Sequence, residues 1–226
     1  MEIDATIREL RDDLMAARDP SKIDAMESYM KGHFDFLGVT TPNRRRAAKP
    51  LHQWARTADP DELVGFVGAL WHEPEREFHY VGMDMLRAGA RNLRPTDIEF
   101  VKGCIEATPW WDTVDGLAAW TVGPMVALHP ELVDVMDAWI EHDNLWLART
   151  AIIHQLGYKE ATDSDRLFRY AVRRAGDTDF FIRKAIGWAL RQYARVDPDD
   201  VRSFLDAHDG EFAGLTVREA TKHLGP

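Results

Sequence analysis

The stretch Leu147-Ala148-Arg149-Thr150-Ala151 recurs in altered form as Ile182-Arg183-Lys184-Ala185 and again as Val217-Arg218-Glu219-Ala220. Its arginines at 149, 183 and 218 are separated by 34 and 35 residues. Stepping back along the chain by the same interval reaches Asp115, Tyr80 and Arg45. Self-similarity at one fixed period is typical of repeat proteins. Asp115 is the one anionic member of this series, which makes it a candidate functional residue.

A second series of residues, suited to starting helices, has the same period. Pro60, Pro95, Pro130 and Pro198 are separated by 35, 35 and 68 residues, and the missing member falls at Ser164. Proline is favoured in the first turn of a helix because the amide hydrogen it lacks would have had no partner there. Each marker is followed by an amphipathic run. The two series together predict repeated units of helix, turn and helix.

Such a unit cannot bury its apolar face alone, so neighbouring units must stack. The sequence has no sustained alternation of period two and no Asn-Gly hairpin, so we predict no strands. The predicted fold is all-α, a curved solenoid of about six two-helix repeats. We expect residues 1–226 to form one repeat domain, with two capping helices in residues 1–32. The second helices, with the series from position 45 to 218, are expected to line the concave side.

Two proline pairs predict local details of the helices. Thr41-Pro42 is expected to supply the N-cap and first turn of a helix from Asn43 to Trp54. Gly123-Pro124 lies inside an otherwise helical stretch and should end or kink it.

Charge is unevenly distributed along the chain. The net charge of −10 argues against a generic nucleic-acid binder. Residues 1–144 carry 15 Lys/Arg and 26 Asp/Glu, whereas residues 145–226 carry 13 and 12. Because phosphate contacts depend on local groups more than on net charge, a local basic surface is compatible with this composition.

The composition also indicates a cellular setting. No apolar run reaches the length of about 18 residues that a membrane span requires, and the first 17 residues lack the apolar core of a signal peptide. Cys104 is the single cysteine, so it cannot pair within the chain, and we expect it to lie in the core. These features are typical of a protein of the reducing cytoplasm. We also expect a monomer.

The segment Trp110-Trp111-Asp112-Thr113-Val114-Asp115 is the densest local signal in the chain. Trp111 and Asp115 are four residues apart and would share one face at a helix start. One interpretation is a capped helix start with core tryptophans. The other is an exposed indole beside an ionised carboxylate, an arrangement that suits a positively charged ligand or transition state. Trp188 alone has the same two interpretations.

Clusters of cations form a third group of candidates. They are Arg44, Arg45, Arg46 and Lys49 in one run, and Arg173, Arg174, Arg183, Lys184, Arg191 and Arg195 further on. Charge runs usually face solvent, and a lone arginine such as Arg149 can equally form an interhelical pair. The alternative is phosphate binding in a groove. No His-Glu-x-x-His spacing occurs, so no metal site is predicted.

At these residues the sequence resembles the AlkD-type DNA alkylation repair glycosylases, which are built of HEAT-like repeats. The resemblance covers roughly residues 25 to 224. Its specific segments are Trp110 to Asp115 and Lys184-Ala185-Ile186-Gly187-Trp188-Ala189-Leu190. Supporting segments are Tyr29-Met30-Lys31, residues 36–42, Trp146-Leu147-Ala148-Arg149, Phe180 onward and Thr216-Val217-Arg218-Glu219-Ala220.

The resemblance implies that Asp115, Trp111 and Trp188 are catalytic and that Arg149 contacts the DNA backbone. From the cationic clusters and the repeat series we add six further expected DNA contacts: Arg44, Arg45, Arg183, Lys184, Arg191 and Arg218. The implied activity is that of a monofunctional alkylpurine DNA glycosylase, acting on double-stranded DNA without base flipping and without a cofactor. A non-catalytic HEAT-like module that binds DNA structure or a protein partner is the alternative.

Overall fold

The computed structural model describes residues 2–224, and helices are the regular structure of this part of the chain. The α-helices are α1 (Ile3–Ala16), α2 (Ile23–Tyr29), α3 (Thr41–Ala47), α4 (Lys49–Ala55), α5 (Pro60–Trp71), α6 (Arg76–Gly89), α7 (Ile98–Ala107), α8 (Trp111–Leu117), α9 (Gly123–Leu128), α10 (Val133–Ile140), α11 (Leu145–Ile153), α12 (Ser164–Arg173), α13 (Phe180–Tyr193), α14 (Pro198–Ala207) and α15 (Gly214–Ala220). Within these residues no strand forms, only an isolated bridge between Asp35 and Glu75. The all-α prediction is confirmed.

The periodic helix starts are confirmed. Pro60 and Pro198 open α5 and α14, and Ser164 opens α12. An aspartate precedes each of these three and accepts a backbone N–H from the first turn, as an N-cap does. Pro95 and Pro130 begin short 3₁₀ turns that lead into α7 and α10.

The chain divides into two compact units, Met1–Phe100 and Val101–Pro226. The expectation of one domain over the whole chain stays a prediction. In the first unit α6 packs against α4 and α5. In the second, α8, α11, α13 and α15 pack side by side, each against the next. These four helices carry positions 115, 149, 183 and 218, so within this unit the second helices form one layer.

The predicted helix from Asn43 to Trp54 is broken at Ala48, and the N-cap is Thr40, one residue before the predicted Thr41. Pro50 explains the break. Proline has no amide hydrogen to donate, and its ring clashes with the carbonyl four residues earlier. The chain therefore ends α3 and starts α4, with Pro50 in the first turn where its missing hydrogen does no harm.

Gly123-Pro124 does not end the helical run, because a π-helical segment from Ala118 to Val122 joins α8 directly to α9. The predicted kink at this pair stays a prediction. Gly123 also allows close packing, because a Cβ atom there would lie 2.3 Å from the carbonyl oxygen of His154. Gly123 thus lets the start of α9 pack closely against the end of α11.

Other expectations concern burial. Cys104 is 3% exposed, in the core as predicted, and burial raises the pKa of its thiol to about 12. None of the helices in residues 2–224 is long and apolar enough to cross a membrane.

A buried carboxylate organises the first unit. Glu77, on α6, is fully buried and accepts the backbone N–H groups of Leu37, Gly38 and Val39 at 3.0–3.1 Å. Gly38 has a φ of +87°, and a Cβ atom there would lie 2.5 Å from the carbonyl oxygen of Asp19. The side chain of Glu77 therefore holds the loop before α3, and Gly38 allows the backbone of that loop to adopt a positive φ and approach Asp19 closely.

Replacing Glu77 by alanine should lower the free energy of unfolding by about 3 kcal/mol, because three buried N–H groups lose their acceptor. Urea denaturation followed by circular dichroism measures the change. Glu9→Ala, at an exposed position of α1, is the matched control and should alter stability by less than about 0.5 kcal/mol. Equal stability of the two variants would contradict the assignment.

Candidate active site

A cleft of about 350 Å³ opens in the second unit, between α8, α11, α13 and α15. Its lining consists of Trp111, Asp115, Arg149, Phe180, Phe181, Lys184, Trp188, Arg191 and Glu219. The three residues that the resemblance implies as catalytic therefore meet in one place, together with Arg149. Arg183 and Arg218 are absent from this lining.

Asp115 and Arg149 form a two-pronged ion pair in the cleft wall. Arg149 donates from Nε to Oδ1 and from Nη2 to Oδ2 of Asp115, both at 2.7 Å. Its Nη1 donates to the main-chain carbonyl of Phe181, so the arginine also ties α11 to α13. Three of the five guanidinium N–H groups are used in this way, and only 5% of the Arg149 side chain is exposed. In this structure Arg149 therefore forms an ion pair between helices, one of the two interpretations that the sequence leaves open.

Two opposing effects act on Asp115. Burial raises the pKa of its carboxyl group, and the hydrogen bonds and charge of Arg149 act in the opposite direction. Since a guanidinium stays charged throughout the accessible pH range, Arg149 supports the ionised form. About 15% of the Asp115 side chain remains exposed. The arrangement offers a fixed carboxylate to whatever enters the cleft.

The two tryptophans of the cleft are only partly buried. Trp111 lies one turn before Asp115 on α8, and Trp188 lies on α13. Trp110 has the packing role instead, with its ring centroid 5.8 Å from that of Trp146 and 5.2 Å from that of Phe181. Each interpretation of this segment therefore applies to one of the two tryptophans. Trp110 packs against other aromatic rings, whereas Trp111 lines the cleft.

Glu219 is a charged cleft residue that sequence reasoning missed, as it also missed Phe180 and Phe181. Lys184 and Arg191 donate to its two oxygens, each at 2.9 Å, and Lys222 donates to Oε1 at 2.7 Å. The hydrogen bonds from Lys222 and Lys184, with the charges of these two lysines, lower the pKa of Glu219 to about 2. The sequence contains a signal for Glu219, because this residue follows Lys184 by one repeat of 35 residues.

After Arg149, the residues that line the cleft lie one position later in the sequence than the repeat series predicts. We expected 183 and 218 to follow it, but 184 and 219 line the cleft. Arg183 instead donates from Nε to the carbonyl of Asp177, and Arg218 is exposed. One residue along a helix is a rotation of about 100°, so a one-residue shift selects a different face.

Arg44 and Arg45 lie on α3 in the first unit. Arg44 is 5% exposed and its guanidinium carbon lies 4.5 Å from the centre of the Tyr80 ring. Both arginines pair with Asp84, Arg44 at 3.6 Å and Arg45 at 3.3 Å. We infer that Arg44 supports the packing of this unit, whereas Arg45, which is half exposed, stays a predicted DNA contact.

Comparison with known proteins gives a consistent result. The sequence profile of a family described as DNA alkylation repair enzyme matches residues 10–224. A solved structure described as a predicted DNA alkylation repair enzyme from Enterococcus faecalis is similar, with a TM-score of 0.85 and 31% identity over 92% of this chain and 97% of that one.

Two more distant structures share the fold. AlkD2 from Streptococcus mutans has a TM-score of 0.62 and 16% identity over 77% of this chain and 89% of its own. The protein smu.31, also from Streptococcus mutans, has a TM-score of 0.63 and 15% identity, with coverage of 80% and 94%. No match was found among curated proteins.

Arg149→Met should raise the pKa of Asp115 further, because burial would then act without its main opposing partner. The carboxyl group would take up its proton at a higher pH than in the parent protein. Carboxyl-carbon NMR as a function of pH measures this. Lys184→Met, which removes a cation that does not bond to Asp115, should produce a smaller shift. A titration of Asp115 unmoved by Arg149→Met would refute the coupling.

Proposed function

The chain belongs to the family of DNA alkylation repair enzymes, and from that premise we propose that it is an alkylpurine DNA N-glycosylase. It hydrolyses the glycosidic bond of cationic N3- or N7-alkylated purines in double-stranded DNA. The observation that carries this proposal is the carboxylate of Asp115, held by Arg149 in a cleft that Trp111 and Trp188 also line.

The chemistry of the substrate explains why a carboxylate suffices. A purine alkylated at N3 or N7 is cationic, so it leaves as a neutral base with the electron pair of the glycosidic bond. The deoxyribose becomes oxocarbenium-like, and a water molecule adds to C1′ and releases a proton. An ionised carboxylate stabilises that positive charge, orients the water and accepts its proton. No protonation of the leaving group and no cofactor is required.

The indoles supply a second source of stabilisation. An aromatic face attracts a cation through its quadrupole, with roughly 0.5–2 kcal/mol for each ring. Trp111 and Trp188 lie on different helices, α8 and α13, and both contribute to the cleft surface. A sugar that enters the cleft can therefore contact aromatic surface as its positive charge develops.

Arg149 acts through Asp115 as a positioning residue. A buried carboxylate is expensive to ionise alone, and a bidentate guanidinium offsets part of that cost. It also fixes the direction of both carboxylate oxygens. A further contact of Arg149 with the DNA backbone stays a proposal, and its low exposure restricts that contact to DNA that enters the cleft.

The lining of the cleft favours recognition of backbone and sugar over recognition of a base. Among its described lining residues are aromatic and charged side chains, and no Ser, Thr, Asn or Gln that would read a base edge. An open cleft without such groups fits a mechanism without base flipping, in which the base projects away from the protein. Selectivity then arises from the weakened glycosidic bond of a cationic lesion.

The reaction is expected to stop at the abasic site. Lys184 is the one amine among the described lining residues, and it forms an ion pair with Glu219. An ammonium group cannot attack C1′ to form an imine, so no strand cleavage should follow. We further propose that the protein acts as a monomer in the cytoplasm and is associated with the nucleoid while bound to DNA.

Asp115→Asn should reduce the excision rate by about 100-fold or more while DNA binding persists, because the neutral amide cannot stabilise the developing cation. Single-turnover release of N7-methylguanine from duplex DNA, corrected for spontaneous loss, measures the rate. Asp134→Asn, at an exposed position of α10 outside the cleft lining, is the matched control and should stay close to the parent. A protein that only binds DNA would release no base in any form.

Bulky cationic N3- or N7-purine adducts should be released as well as methyl adducts, because an open cleft does not limit the size of a base that stays outside it. Neutral lesions such as uracil or ethenoadenine should not react, because their glycosidic bonds are not weakened by charge. Release rates for N7-methylguanine, a much larger cationic adduct and uracil test this. Release of the methyl adduct alone would point instead to an enclosing pocket.

A further inference from the structure

One face of α13 carries two cations with an indole between them. Lys184, Trp188 and Arg191 are spaced by four and three residues, so they lie along one stripe of the helix. All three line the cleft. Two turns of helix separate the cations by about 10 Å along the axis. The stripe thus has the order cation, aromatic ring, cation.

Both cations are held by a single carboxylate from the neighbouring helix. Lys184 donates to Oε1 of Glu219 and Arg191 donates to Oε2, each at 2.9 Å. Glu219 is buried, with 8% of its side chain exposed, whereas Lys184 and Arg191 keep 37% and 21%. An ammonium has three N–H groups and a guanidinium five, so each cation retains donors for a second partner.

Close packing of α13 against α15 places the carboxylate of Glu219 beside Lys184 and Arg191. A Cβ atom on Gly187 would lie 2.5 Å from Cβ of Glu219 and 2.7 Å from the carbonyl oxygen of Thr216. Only glycine permits this approach of α13 to α15. The residue before Trp188 therefore determines how near Glu219 comes to the cations on either side of that tryptophan.

Electrostatics alone would disfavour an acidic residue at this point. Its negative charge repels the phosphates of DNA and cancels part of the attraction of Lys184 and Arg191. Long cationic side chains also lose conformational entropy when they bind. A carboxylate that fixes them in advance removes part of that loss, so its benefit lies in orientation and not in charge.

We propose that Glu219 is a positioning residue that holds Lys184 and Arg191 to contact the two phosphates flanking one deoxyribose, while that sugar lies against Trp188. The ligand of the stripe is then one phosphate–sugar–phosphate unit of a DNA strand. This inference rests on the proposed function, because it takes the sugar of the lesion to be the group that Trp188 faces.

The test depends on whether Glu219→Gln tightens or weakens DNA binding. If Glu219 acts only through its charge, Glu219→Gln should tighten DNA binding. If it positions the cations, the same change should weaken binding by about tenfold and make the slope of log K against log salt shallower by about one to two units, since each lost phosphate contact contributes about 0.9. Fluorescence anisotropy with a duplex that contains a tetrahydrofuran abasic analogue measures both. Tighter or unchanged binding would overturn the proposal.

Two further variants separate position from charge. Glu219→Asp keeps the charge but withdraws the carboxylate by one methylene, so we expect weaker binding here too. Lys222→Met removes a cation that bonds the same carboxylate from outside the cleft lining, and we expect a smaller change than for Glu219→Gln. Binding as tight as that of the parent protein by Glu219→Asp would contradict the positioning role.

A double-mutant cycle excludes a purely structural effect of the substitution. In a protein with Lys184→Met and Arg191→Met, Glu219→Gln should have no further effect on the salt slope, because the groups that it positions are gone. An additive effect would overturn the proposal, and thermal unfolding of every variant accompanies the cycle. Release of N7-methylguanine by the parent protein tests the proposed function separately, since the binding measurements use DNA from which no base can be released.

Discussion

The ion pair between Asp115 and Arg149 is the interaction on which the candidate site depends. It joins α8 to α11, and through the carbonyl of Phe181 it joins α11 to α13. Removing two charges from water is costly, and this geometry offsets the cost only because both carboxylate oxygens are bonded. The same constraint gives the site its chemistry. A carboxylate that a guanidinium holds in a fixed direction is prepared for a cation before one arrives.

Close contact between helices determines what surrounds that pair. Gly187 lets α13 approach α15, which places Glu219 beside Lys184 and Arg191, and Trp188 lies within the same stripe. The cleft thus contains two carboxylates with different partners. Asp115 has one cation and a pKa raised by burial, whereas Glu219 has three cations and a pKa of about 2. Their environments therefore differ, although both are acidic residues of one layer.

The distribution of charge reconciles an acidic protein with the proposed nucleic-acid substrate. The chain has a net charge of −10, but the cleft lining contains three Lys/Arg side chains and two carboxylates. Electrostatic attraction at contact distance depends on these local groups, because salt screens more distant charges over about 10 Å. Family membership and site composition therefore agree, whereas net charge alone argued against a DNA binder.

The sequence by itself determined the period near 35, the helix starts at Pro60, Ser164 and Pro198, and the shared face of Trp111 and Asp115. These are local properties, set by backbone preferences and by the spacing of residues within one helix. Only the tertiary structure decided that Arg149 pairs with Asp115 and that residues 184 and 219 line the cleft in place of 183 and 218. The reason is geometric: each residue turns a helix by about 100°, and the face that meets a neighbour is fixed by packing between helices, which a period alone does not specify.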